Sequence, residues 1–220
     1  MQTIDYDSKQ VYYDLPDFHN DLELLALIKE CLQAQKKAGE AYRETQFTPY
    51  PDAISAVKGE ALEKILAAEE DISDIRTHRI TNSIVFHIEN LDGSVISDEV
   101  LHMRRQIDEA IDKRIRGIFS DPRDLRIDCS GHYWYPPGGY MGWHTNRRKP
   151  GWRMYVSYAE EEHRSFFRYR DPDTGEVITC PDETWNFRLF KITPEKPFWH
   201  CVFSETDRFS LGYRIESTSG

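Results

Sequence analysis

Phe198-Trp199-His200-Cys201-Val202 reads as an apolar strand that carries one histidine. The chain then turns through Ser204-Glu205-Thr206-Asp207 into a second strand, Arg208-Phe209-Ser210-Leu211-Gly212-Tyr213-Arg214-Ile215. Similar short runs, rich in β-branched and aromatic residues, occupy roughly 125–135, 152–158, 164–170 and 186–192. Pro, Gly and Asp punctuate them, and Asp171-Pro172-Asp173-Thr174-Gly175-Glu176 is a tight hairpin connection.

Ahead of this β region the periodicity is helical. Leu24, Leu25, Ile28, Cys31, Leu32 and Gln35 predict a helix from Asp21 to about Lys36, with Asn20 or Asp21 as cap and Gly39 just past the end. Val100, Met103, Ile107, Ala110, Ile111, Ile115 and Ile118 predict a cleaner one over about 98–119, wet on its charged face. A weaker helix is expected near 59–70. Alternation over Thr81–Glu89 predicts a strand, with a turn at Asp92-Gly93. Helices first and antiparallel strands after give an α+β fold, a sheet sandwich or barrel supported by helices. One domain over 1–220 is expected, with 1–120 mainly helical support holding one or two strands, and 121–220 the β core.

The 220 residues are 39% hydrophobic and 13% aromatic, which supports a real core. With 28 Lys+Arg against 38 Asp+Glu the net charge is -10, a poor surface for nucleic-acid phosphates. No apolar run approaches the roughly 18 residues of a membrane span, and Met1-Gln2-Thr3-Ile4-Asp5-Tyr6-Asp7 lacks the pattern of a signal peptide. Cys31, Cys129, Cys180 and Cys201 are scattered without a C-x-x-C pair and read as reduced thiols of a cytoplasmic protein. Signatures of zincins, P-loop enzymes, serine hydrolases and dinucleotide binders are absent from the sequence.

The chemistry-bearing residues lie in the β region. Tyr135-Pro136-Pro137-Gly138-Gly139-Tyr140-Met141-Gly142-Trp143-His144-Thr145-Asn146 delivers a histidine at the start of a strand, and Gly138-Gly139 reads as a mobile lid. His200 and the pair Arg208 and Ser210 follow. A lone histidine in an apolar strand is more often a hydrogen-bonded core residue; the order and spacing of all four raise the ligand reading. The strand period of two puts Arg208 and Ser210 on one side.

In this order of motifs the sequence resembles the iron(II)- and 2-oxoglutarate-dependent oxygenases. They carry His-x-Asp/Glu, a distal His, and an Arg-x-Ser about ten residues on, over a double-stranded β-helix, or jelly roll. The resemblance covers about 125–216. It implies Fe(II) held by His144 and His200, 2-oxoglutarate and O2 as cosubstrates, and Arg208 with Ser210 on the far carboxylate, where a guanidinium fork suits the geometry. The expected activity is hydroxylation of a C–H bond in a protein side chain, amino acid or small metabolite.

Asn146 departs from the pattern, because a neutral amide stands where the carboxylate ligand belongs. Either Asn146 ligates weakly, or two histidines and water suffice, or metal has been lost and the chain is a non-catalytic jelly-roll binding module. Asp128 is another carboxylate able to take that place. Trp152-Arg153-Met154-Tyr155 is similar to the Arg-Met-His run of the aspartyl/asparaginyl β-hydroxylase branch, which also lacks the carboxylate; this implies Arg153 and Tyr155 as secondary cosubstrate contacts. Residues 144–170 hold seven basic side chains, Arg147 to Arg170, against Glu160, Glu161 and Glu162, a basic patch suited to a dicarboxylate. His87, His102 and His132 have no ligand-spaced partner and read as structural.

Overall fold

The computed structural model describes residues 3–68, 81–85 and 97–218. Three helices are present among them: α1 (Leu22–Gln46), α2 (Gly59–Ala67) and α3 (Asp98–Ile118). Asp21 caps α1, its carboxylate accepting from the Leu24 N–H at 3.1 Å and pairing with Arg114 of α3 at 2.6 Å. The helix runs ten residues beyond the expected Lys36. Gly39 lies within it, because a glycine without φ > 0 costs a helix too little to stop one that packs. Ser97 caps α3 through the Val100 N–H.

The strands are β1 (Tyr12–Asp14), β2 (Thr81–Asn82), β3 (Ile84–Val85), β4 (Leu125–Tyr135), β5 (Tyr140–His144), β6 (Gly151–Ala159), β7 (Ser165–Arg170), β8 (Val177–Pro181), β9 (Trp185–Ile192), β10 (His200–Ser204) and β11 (Arg208–Ser217). They form two antiparallel sheets, ordered β1-β9-β6-β11-β4-β3 and β2-β5-β10-β7-β8. The architecture is α+β and jelly-roll-like. The expected 81–89 strand is broken at Ser83 so that β2 and β3 join different sheets; residues 86–89, His87 and the Asp92-Gly93 turn lie outside the described residues. The short β1 and β8 were not expected as strands, the strand expected to start at His144 instead ends there as β5, and 171–176 joins β7 to β8 rather than to β9.

Strand alternation sorts the core into layers. Phe209, Leu211, Tyr213 and Ile215 of β11, with Trp152, Met154 and Val156 of β6, face Ile28, Leu32, Ile107 and Ile111 of α1 and α3. Trp143, Cys201 and Phe203 on the outer face of the smaller sheet pack on Val57 and on Leu62 of α2. Between the sheets a third cluster holds Tyr135, Met141, Phe167, Phe190, Phe198 and Val202. At about 25 cal/mol per Å² these buried rings dominate the stability. Among the described residues all four cysteines are free thiols, and no helix is long and apolar enough to cross a membrane.

Candidate active site

His200 of β10 and His144 of β5 are register partners across the smaller sheet. A bulge brings them together. From Val202 to His200 is two residues, but from Met141 to His144 is three, so β5 carries one extra residue. Plain alternation would send His144 to the face opposite Met141. The extra residue resets the phase: Met141 and His144 both point between the sheets, while Trp143 points out to α2. The imidazole centroids are 4.1 Å apart, their planes inclined at 51°.

The two rings are held in one tautomer. His144 Nδ1–H donates to the Gly142 carbonyl at 2.9 Å and His200 Nδ1–H to the Phe198 carbonyl at 3.0 Å, which leaves Nε2 of each as a lone pair. His200 Nε2 is buried with no hydrogen-bond partner. Burial lowers His144 to about 4, and burial followed by the repulsion of His144 takes His200 well below the usual histidine range. Two neutral imidazoles side by side on one cavity offer nitrogen donors of the kind a divalent first-row metal takes as ligands. This donor set therefore fits Fe(II), as two ligands of a site that would need further oxygen donors.

The pair opens onto a cavity of about 250 Å³ between the sheets. Asn146, Arg153, Tyr155 and Ser210 line it as well. Asn146 is not on the strand of His144: β5 ends at the histidine, and Asn146 sits in the following turn at φ 58°. Asp128 also lines the cavity, but its carboxylate pairs with Arg126 at 2.8 Å and Arg214 at 3.1 Å. Among the described residues no Asp, Glu or Cys joins the two histidines within ligand distance. Burial raises the Tyr155 phenol to about 12, so it is neutral, and its ring stands edge-on to Phe190 at 4.9 Å.

Arg208 is the correction. It faces the inter-sheet space as expected, yet it does not line the cavity: its Nε donates to Asp182 at 2.7 Å, and its guanidinium lies over the Tyr135 ring at 5.4 Å. A free bidentate fork is therefore not available. Asp182, fully buried, also accepts from Arg188 at 2.5 Å and Ser165 at 2.6 Å. Two guanidinia share one carboxylate, and Arg208 Nη1 is left buried without a partner. The Gly138-Gly139 segment is likewise no lid. Gly138 N–H donates to Ser204 O at 2.8 Å and Ser204 N–H to Gly139 O at 2.9 Å, which fastens the turn to β10, away from the cavity lining.

Sequence reasoning missed Arg214 and Gly212 as lining residues, and placed Lys149 only in a general basic patch and Tyr133 only in an aromatic cluster; all four line the cavity. Arg214 and Gly212 were accessible by parity, being four and two residues past Ser210 on one strand. Asp182 had no signal in a turn after Cys180-Pro181. His132 lies on the outer face of β4 against Arg104 of α3, and His102 is exposed on α3.

No family model matches the chain, and no curated protein matches it in sequence. Solved structures do. A Pseudomonas putida prolyl-4-hydroxylase is 15% identical over 95% of this chain and 94% of its own, with a TM-score of 0.45. An oxidoreductase of the 2OG-Fe(II) oxygenase family from Burkholderia pseudomallei is 12% identical over 84% and 92%, with a TM-score of 0.44. A Trichoplax adhaerens prolyl hydroxylase, solved with a peptide fragment of a hypoxia inducible factor, is 12% identical over 86% and 92%, with a TM-score of 0.41. The structural neighbours of this chain are thus prolyl hydroxylases and a 2OG-Fe(II) oxygenase.

Proposed function

We propose that this chain is an iron(II)- and 2-oxoglutarate-dependent oxygenase, built on a double-stranded β-helix, that hydroxylates a C–H bond. The observation that carries the reading is the pair of buried neutral imidazoles, His144 and His200, 4.1 Å apart on one cavity, with His200 Nε2 left unpartnered. A buried polar atom without a partner costs about 1–3 kcal/mol, and a bound metal removes that cost. His144 and His200 would hold Fe(II), and Asn146, in the turn that lines the same cavity, would offer its amide oxygen. Iron(II) with 2-oxoglutarate and O2 supplies an oxidant able to break a C–H bond while the cosubstrate loses CO2.

The remaining parts of the chain bind, orient and exclude water. The far carboxylate of 2-oxoglutarate would meet the Ser210 hydroxyl, which lines the cavity, whereas Arg208 is held by Asp182 outside that lining. Arg188 and Arg208 share Asp182, Arg188 also meets Asp14 at 3.9 Å, and Arg208 Nη1 is buried there without a partner. Phe190, Phe167 and Phe198 wall His200 at 5.1–5.8 Å between ring centroids and keep bulk water from it. Arg153 and Tyr155 flank the opposite wall on β6.

Anaerobic Fe(II) plus 2-oxoglutarate should give the weak visible band of the metal chelate in the full chain, and His144→Ala or His200→Ala should abolish it. No band in the wild type would favour the second reading, a jelly-roll module without metal, to which Asn146 and the lack of a carboxylate ligand among the described residues lend support. Asn146→Asp sharpens the choice: tighter iron binding puts position 146 in the coordination sphere, and unchanged binding indicates two histidines and water.

A further inference from the structure

The walls of the cavity carry three cations, Lys149, Arg153 and Arg214, against a single carboxylate, Asp128. The histidines and tyrosines there are neutral. Arg214 already has Asp128 at 3.1 Å and Glu216 at 3.4 Å. Glu216 acts on Arg153 too, but from beyond ion-pair distance. Arg153 is 3% exposed, faces Arg214 as its register partner across β6 and β11, and spends its Nη1 and Nη2 on the carbonyls of Trp152 and Lys149. Among the described residues it forms no ion pair with a carboxylate.

A divalent metal and a dicarboxylate bring no net charge between them. Loading both therefore leaves the positive excess of the cavity wall in place. A buried guanidinium beside another cation is costly unless an anion meets it. Arg153 also lies two residues nearer the 145–150 turn than Tyr155, on the side of exposed Lys149 and away from the Asp182 cluster. The cavity's 250 Å³ falls below the roughly 300–1,000 Å³ of sites for drug-sized ligands, and the cosubstrate must share it. A chain of net charge -10 repels a long polyanion, yet a small anion can be drawn into a local basic concavity.

We infer that the primary substrate is a small molecule bearing a carboxylate, received by Arg153 and Lys149 at the mouth of the cavity. This rests on the oxygenase reading above. The test uses the full chain loaded with Mn(II) and 2-oxoglutarate, titrated with a panel of small carboxylic acids (malonate, L-malate, L-aspartate, L-glutamate) and their amides, and read by the water-proton relaxation of the metal. At least one acid should bind ten-fold or more tighter than its amide, and both Lys149→Gln and Arg153→Gln should erase that preference. Acids binding no better than amides, or a preference that survives Lys149→Gln and Arg153→Gln, would overturn the inference. So would a loss of 2-oxoglutarate affinity in Arg153→Gln as large as the loss of acid affinity, since Arg153 would then serve the cosubstrate. Mn(II) binding that is absent, or unchanged in His144→Ala, overturns the oxygenase reading itself; normal metal and cosubstrate binding without acid preference overturns only the substrate class.

Discussion

The space between the two sheets has two polar ends built in opposite ways. At one end Asp182 gathers Arg188, Arg208 and Ser165 within 2.5–2.7 Å, and nearly every donor is engaged. At the other, His144 and His200 present lone pairs to a cavity, and Arg153 has no carboxylate. Buried polar groups that satisfy one another hold a fold together, whereas those left open await a ligand. Arg208 belongs to the first end, with Nε engaged and Nη1 unpartnered.

The largest effect on this contrast should come from Asp182→Asn. Removing the shared carboxylate leaves two buried guanidinia uncompensated, and chemical denaturation should show a loss of about 3–5 kcal/mol. Burial alone would raise the Asp182 carboxyl, but Arg208 and Arg188 bring it below 3.8. Its stabilisation is therefore fully present above about pH 4 and is lost as the pH falls through the folded value; the variant should show a flatter acid limb of the stability curve. Equal acid limbs would mean that the cluster does not hold the fold.

At the open end the order reverses. His200→Ala should lower Mn(II) affinity by about a hundred-fold or more, since even partners one bond removed from a metal carry about ten- to hundred-fold. Its thermal midpoint should stay within a few degrees of wild type, because the lost ring faces a cavity; a collapse in stability with unchanged metal affinity would make His200 a packing residue. Gly212→Ala comes next. A Cβ there would meet Ser130 Oγ at 2.9 Å and Tyr155 Cε1 at 3.3 Å, so it should narrow the cavity and cost about 1–2 kcal/mol, with weaker 2-oxoglutarate binding by calorimetry. The smallest is Asp21→Ala, remote from both ends, which removes the α1 cap and should cost about 1 kcal/mol by denaturation while metal affinity is unchanged.

The strand-rich second half, the amphipathic α3, and the outer and inner faces of β11 were legible in the chain alone. These follow from local periodicity, since Phe209, Leu211, Tyr213 and Ile215 alternate with Arg208, Ser210, Gly212 and Arg214 wherever the strand is placed. The sequence also marked the two histidines as partners by their order. Only the tertiary structure decided that they meet, because an extra residue in β5 resets the phase of His144, and a bulge leaves no trace in hydrophobic pattern. Only it engaged the Arg208 Nε, because Asp182 arrives from another strand end, and carried α1 through Gly39 on packing that lies far away in the chain. What depends on residues near in sequence was legible; what depends on partners brought from the opposite sheet was not.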